Sequence, residues 1–250
     1  MSIDTIDDVL HRLDGLIEDA RRRRDRRGYF SALYRRMTRR VQLGITRGEF
    51  DDGARMERFD VLFARRYFDA WDAFGCGLPT ARAWREALLP AERPRLIVQY
   101  LLLGMNAHIN YDLALSACDT MRPGRVRPLE RDFMKINDLL AELLDGVQGL
   151  IGRFSPTLSV VDVLGGRRDE AIADFSMRRA RRDAWEAALL LDGEGDETRR
   201  AVITEMIDRR VAGLARLIAR PTSVGGEVSS LFARFDSERV EDVIDALAGA

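Results

Sequence analysis

The sequence predicts an all-α fold: a compact, single-domain bundle of about nine or ten helices over residues 1–250, built around a buried central helix. Three observations support this prediction. Apolar residues recur with the helical period in nearly every segment, and strand patterns are almost absent. A chain of 250 residues with 46% apolar and 32% charged residues can bury a sizeable core. A helical appendage over residues 197–250 stays an alternative to a single domain.

Three amphipathic stripes predict the first three helices. The first stripe contains Ile6, Val9, Leu10, Leu13, Leu16 and Ile17. The second contains Phe30, Leu33, Tyr34, Met37 and Val41. The third contains Met56, Phe59, Leu62, Phe63, Tyr67 and Trp71, and the segment Gly75-Cys76-Gly77 ends it. The pair Pro79-Thr80 is expected to cap a short fourth helix that runs through Leu89.

A long central helix is predicted to begin at Pro94 and to end at about Cys118. Its most apolar part, Leu96 to Tyr111, carries no formal charge. That part is shorter than the ~20 residues that a membrane span needs, so a buried helix is the better interpretation. Further stripes predict helices over 133–151, 172–189 and 202–218, and weaker helices after them.

The central helix carries several polar residues in an otherwise apolar sequence. His108 and Asp112 lie four positions apart and therefore share one face, and Asn106 and Asn110 share another. Gly104 lies one turn before His108 and leaves room for a neighbouring helix or a ligand. Buried polar groups cost free energy unless they have partners, so these side chains must be satisfied by the protein or by a ligand.

Two interpretations of this cluster stay open. In the first, Asn106, His108 and Asp112 form a structural network that locks the core. In the second, His108 is a general base, a general acid or a metal ligand, and Asp112 orients it or binds the same metal. The candidate substrate-binding residues are Asn106, Asn110, Tyr67, Tyr111, Arg181 and Trp185. The candidate metal ligands are Asp60, Asp112 and Asp132.

The composition excludes several kinds of site. The only two histidines, His11 and His108, cannot build a three-histidine zinc site or a ferritin-like di-iron site. Any metal site would consist mostly of carboxylates, which favours Mg²⁺ or Mn²⁺. Only one of the forty Lys and Arg residues is a lysine, and neither a P-loop nor a strand-linked G-x-G-x-x-G motif is present. No nucleotide cofactor is therefore expected.

The charge and cysteine content give expectations about location and partners. A net charge of −1 gives no reason to expect nucleic acid or membrane binding. The arginine run over 21–27 is interpreted as a solvated helix end. Two cysteines and the absence of a signal peptide favour a reduced, cytoplasmic setting. The expected partner is a small-molecule ligand or substrate, and the oligomeric state stays open.

The run from Gly104 to Ala114, GMNAHINYDLA, resembles the signature of a family of uncharacterised, all-helical bacterial proteins that is common in actinobacteria. Segments 33–38, 63–68 and 180–185 fit the same family, so the resemblance covers roughly residues 30 to 190. It implies a helical fold. It implies no activity and assigns no catalytic residue.

These observations lead to two functional hypotheses. The first is an enzyme of small-molecule, including specialised, metabolism. It would act on a largely apolar substrate by His108/Asp112 acid–base chemistry or with a carboxylate-bound metal. The alternative is a non-catalytic protein that uses the same pocket to bind a small ligand or another protein.

Overall fold

The computed structural model describes residues 2–90, 95–140, 177–220 and 240–249. These residues form helices and connecting loops, and no strand occurs in them. The all-α prediction is therefore confirmed. Parts of the predicted helices over 133–151 and 172–189, and most of the chain after Pro221, lie outside the described residues.

The helices follow one another along the chain with mostly short connections. The first five are α1 (Ile6–Arg23), α2 (Gly28–Thr46), α3 (Gly53–Gly75), α4 (Arg82–Leu88) and α5 (Ile97–Ala107). A π-helical turn (His108–Asp112) joins α5 to α6 (Leu113–Met121), and a 3₁₀ turn (Arg127–Leu129) precedes α7 (130–140). The remaining described helices are α8 (Met177–Gly193), α9 (Glu197–Ala219) and α10 (Val240–Ala248).

Helix α1 has defined signals at both of its ends. Thr5 and Asp8 form a reciprocal capping box, in which each side chain accepts a hydrogen bond from the other residue's backbone N–H. The buried side of the helix includes Val9 and Leu13, which are fully inaccessible to solvent. Arginines fill its last turn, where the helix dipole favours cations, and Arg24 ends the helix in the left-handed conformation.

The capping prediction for α4 is wrong. The hydroxyl of Thr80 donates to the carbonyl of Leu78 and caps no helical N–H group. The carboxylate of Asp208, on α9, accepts from the backbone N–H groups of Arg82 (3.1 Å) and Ala83 (2.8 Å) instead. The cap of this seven-residue helix therefore comes from a helix more than a hundred residues away in sequence, which local sequence patterns cannot reveal.

Replacing Asp208 by Ala is expected to lower the free energy of unfolding by about 1 kcal/mol, the usual cost of losing a helix cap. Asp208→Asn keeps an acceptor oxygen and should lose clearly less. Urea unfolding followed by circular dichroism measures both. Equal stability of the Ala variant and the wild type would contradict this role for Asp208.

The central helix is buried among other helices, as predicted. It begins at Ile97 and ends at Met121, three residues later than predicted; Pro94 lies outside the described residues. Its first half packs against α2, α4 and α9, and its second half packs against α3 and α8. Within the described residues, no helix combines the length and the apolar character that crossing a membrane requires.

Gly104 allows α2 to approach the central helix closely. A Cβ atom at this position would lie 2.3 Å from Cγ of Phe30, far inside van der Waals contact. Of the two predicted uses for this glycine, room for a helix or for a ligand, the structure shows the first. Phe30 in turn borders a cavity that His108 also lines.

Candidate functional site

The π-helical turn holds His108 and Asp112 in a buried hydrogen-bonded pair. His108 Nδ1 lies 3.1 Å from Asp112 Oδ2, and each residue is 2% exposed. The same carboxylate oxygen accepts a hydrogen bond from the indole Nε1 of Trp84 at 2.8 Å. Single π-helical turns within α-helices often occur at functional sites. The sequence predicts that His108 and Asp112 share one face of the helix, and in the structure their side chains are in direct contact.

Aromatic rings fix the plane of the His108 imidazole. The ring of Phe63 stacks on it, with centroids 3.5 Å apart and an angle of 6° between planes. Tyr34 meets it edge-on, with centroids 4.6 Å apart. Since the Asp112 carboxylate accepts a hydrogen bond, Nδ1 of a neutral His108 carries the proton and Nε2 carries the lone pair.

The Nε2 atom of His108 is buried and has no hydrogen-bond partner in the described part of the chain. Burial lowers the pKa of His108, and the hydrogen bond and charge of Asp112 offset only part of that effect. The imidazole is therefore neutral at pH 7, with an unshared acceptor at Nε2. Such a group can accept a proton or a hydrogen bond from a ligand.

His108 lines a cavity of about 70 Å³ between α2, α3, the central helix, α7 and α8. Its polar or titratable lining residues are Tyr34, Thr38, Asp60, His108 and Arg181. Its other lining residues are apolar: Phe30, Leu33, Met37, Val41, Met56, Phe59, Phe63, Met105, Ile109, Leu113, Ile136, Leu140 and Met177. Two of the residues predicted from sequence as partners of His108, Asp60 and Arg181, thus border the same cavity.

Asp60 is the second titratable group of the cavity with an unpaired atom. Its Oδ2 is buried and has no hydrogen-bond partner among the described residues. Burial, with a smaller contribution from the charge of Glu57, raises the pKa of Asp60 to about 7. Asp60 therefore exchanges a proton near neutral pH, where an ordinary aspartate is fully ionised.

Tyr34 and Thr38 complete the polar part of the cavity and were not predicted from the sequence. Burial raises the pKa of Tyr34, and Thr38 lies close enough to lower it slightly. Neither hydroxyl makes a hydrogen bond of acceptable geometry to a described residue. One pattern in the sequence could have indicated these two residues. Thr38 follows Tyr34 by four positions, which places a hydroxyl within the apolar stripe of α2.

Several residues predicted as substrate-binding serve the packing of the protein and do not line the cavity. Tyr67 shares a hydrogen bond of 2.7 Å with Ser31, deep in the core. Asn106 donates to the carbonyl of Val211 and accepts from Asn110, which joins the central helix to α9. The structural interpretation therefore fits these three predicted residues.

Two aromatic candidates also lie away from the cavity lining. Trp185 is buried against Phe133, with ring centroids 4.9 Å apart, and its Nε1 has no partner among the described residues. Tyr111 is half-buried, within the π-helical turn. Neither residue borders the cavity.

The carboxylate oxygens of Asp132 likewise accept hydrogen bonds from groups of the protein itself. The residue is fully buried and accepts from the backbone N–H groups of Asp51 (2.7 Å) and Asp52 (3.2 Å) and from the guanidinium of Arg55 (2.7 Å). The predicted metal ligands Asp60, Asp112 and Asp132 are therefore not brought together. No group of three or more His, Cys, Asp or Glu side chains that could hold a metal ion is found in the described residues.

Comparison with known proteins gives a family and no activity. Residues 6–221 match a family of unknown function (DUF5995). Comparisons with curated proteins and with solved structures give no match. Because the match spans most of the chain, this protein belongs to the DUF5995 family.

Proposed function

We propose that this protein is an enzyme of small-molecule metabolism that acts on a largely apolar substrate in the His108 cavity. One observation carries the proposal: His108 is held through Nδ1 by Asp112, while its buried Nε2 has no partner and the residue borders an apolar cavity. An unsatisfied buried acceptor costs free energy, and a substrate proton is one way to satisfy it. Buried titratable groups of this kind occur often at functional sites.

In this proposal His108 removes a proton from the substrate through Nε2. The nearby negative charge of Asp112 stabilises the imidazolium that forms, and the hydrogen bond to Nδ1 keeps the ring oriented. Asp60, with a pKa of about 7, supplies a second group that can give or take a proton at neutral pH. The lowered pKa of His108 leaves it a neutral base, and the raised pKa of Asp60 lets it hold a proton near neutral pH, so the cavity lining offers one group for each role in acid–base catalysis.

A test compares the wild type with His108→Gln in a protein-free extract of bacterial small molecules, followed by mass spectrometry. We expect the wild type to consume at least one compound in amounts well above one equivalent of protein. The variant should do so about 10²–10⁴-fold more slowly, the usual contribution of a general base. The control variant is His11→Gln, since His11 is the other histidine and is exposed on α1.

The possible outcomes separate the two functional hypotheses. Equal consumption by the wild type and His108→Gln would contradict the role of His108. A compound that is bound by both proteins and consumed by neither would favour the alternative, a ligand-binding protein. If no compound is either consumed or bound, both hypotheses fail.

A further inference from the structure

Arg181 is a buried cation without an acidic partner in the described part of the chain. It is 3% exposed. Its Nε donates to Asn137 Oδ1 and its Nη2 donates to the carbonyl of Phe133, both at 2.6 Å. Its guanidinium also lies 4.6 Å from the centroid of the Phe133 ring. All of these partners are neutral, and no hydrogen bond joins its third nitrogen, Nη1, to a described residue.

An unpaired buried charge is costly, so such groups are normally paired. Arg55 shows the usual solution in this protein, because its guanidinium contacts the carboxylate of Asp132 at 2.7 Å. Burial lowers the pKa of Arg181 to about 9, which still leaves it protonated at neutral pH. Arg181 thus brings a positive charge to the cavity lining, and the described residues do not neutralise it.

Asp60 does not serve as that missing partner. Both residues line the cavity, yet no ion pair joins them, and the charge of Arg181 is not among the causes that shift the pKa of Asp60. Desolvation alone accounts for the lowered pKa of Arg181. Arg181 therefore forms a polar region of the cavity that is separate from the one at His108.

Apolar side chains connect the two regions. The rings of Phe133, Phe59 and Phe63 follow one another from Arg181 towards His108, at centroid separations of 6.0 and 6.2 Å. The four methionines of the lining are Met37, Met56, Met105 and Met177. Methionine is flexible and adapts to ligands of different shape, so a cavity of this small volume can expand around an apolar body.

We propose that the ligand of this cavity is a small molecule with an apolar body and a single carboxylate, and that the carboxylate pairs with Arg181. A carboxylate matches the planar guanidinium and supplies the charge that the described residues lack. The ligand group that reacts at His108 is then a different part of the molecule from the carboxylate. This inference rests on the proposed function for the identity of the cavity and adds the substrate class.

The test uses butyrate and hexanoate as probes, with the alcohols and amines of the same chain lengths as matched controls, measured by calorimetry on the full chain. We expect the wild type to bind a carboxylate at least about tenfold more tightly than the matching alcohol, a difference of about 1.4 kcal/mol. The amine should bind more weakly still, because it would meet Arg181 with a like charge. These measurements use only the wild type, so their result does not depend on whether a variant folds.

The variant Arg181→Gln tests whether the carboxylate of the probe binds at Arg181. This variant should lose the preference for the carboxylate over the alcohol, whereas Arg182→Gln, at an exposed position on the same helix, should keep it. The inference is wrong if the wild type binds no carboxylate, if it prefers the alcohol or the amine, or if Arg181→Gln keeps the preference.

The outcome is separable from that of the proposed function. Consumption of compounds without a carboxylate would leave the enzyme proposal standing and remove this inference. Binding of carboxylates at Arg181 without any consumption would support the inference and remove the catalytic role.

Discussion

Replacing Asp112 by Ala is expected to lower the free energy of unfolding by about 2–6 kcal/mol, because two buried donors lose their acceptor and each such loss costs about 1–3 kcal/mol. The donors are Trp84 Nε1, at 2.8 Å, and His108 Nδ1, at 3.1 Å. Urea unfolding at pH 7 measures the loss. The pKa of His108, followed by NMR, should fall further, because Asp112 raises it in the wild type.

A double-mutant cycle with Trp84→Phe isolates the indole contact. The phenylalanine removes the indole N–H, so the double variant carries one fewer orphaned donor than Asp112→Ala alone. We expect the two substitutions to be non-additive by about 1–3 kcal/mol. Strict additivity would mean that the bond from Trp84 to Asp112 adds nothing to stability. A loss below about 1 kcal/mol for Asp112→Ala would show that the bonds from Trp84 and His108 to Asp112 do not stabilise the fold.

The sequence predicted the helical framework because each early helix carries its own amphipathic pattern. The burial of Val9, Leu13 and Phe59 follows directly from their spacing. The cap of α4 was mispredicted because Asp208, which supplies it, comes from a distant helix. The π-helical turn at His108 was not predicted either, because the apolar pattern of the sequence does not show where i→i+4 bonding gives way to the i→i+5 bonding of a π-helix.

The candidate site was predicted in part, for a similar reason. Spacing alone places His108 and Asp112 on one face, and Asp60 lies on the core-facing side of its own helix. Whether a buried carboxylate faces a cavity or a set of protein donors depends on which helix packs against it. Asp60 and Asp132 look alike in sequence, yet one borders a cavity with an unpaired oxygen and the other accepts three hydrogen bonds.

Asp60→Asn is expected to change the dependence of stability on pH. An unfolded chain loses the Asp60 proton near the ordinary pKa of 3.8, whereas the folded protein keeps it up to about pH 7. Between these values the folded state binds more protons than the unfolded state, so the stabilising contribution of protonated Asp60 is lost as pH rises. The loss is about 1.4 kcal/mol for each pH unit within that window.

The asparagine has nearly the shape of a protonated aspartate and never ionises. At pH 4 the variant and the wild type should therefore have similar free energies of unfolding. At pH 8 the variant should be more stable, by on the order of 4 kcal/mol for a shift of this size in a fully buried group. Urea unfolding at several pH values gives the difference between the two proteins, in which the contribution of His108, common to both, largely cancels.

Asp69→Asn, at an exposed position on the same helix, provides the matched control and should give a difference that hardly changes with pH. A flat difference for Asp60→Asn as well would mean that Asp60 is ionised in the folded protein at ordinary pH and therefore has a partner in solution. That result would remove Asp60 as a proton donor in the cavity, since only a carboxyl group that keeps its proton near neutral pH can give one to a substrate.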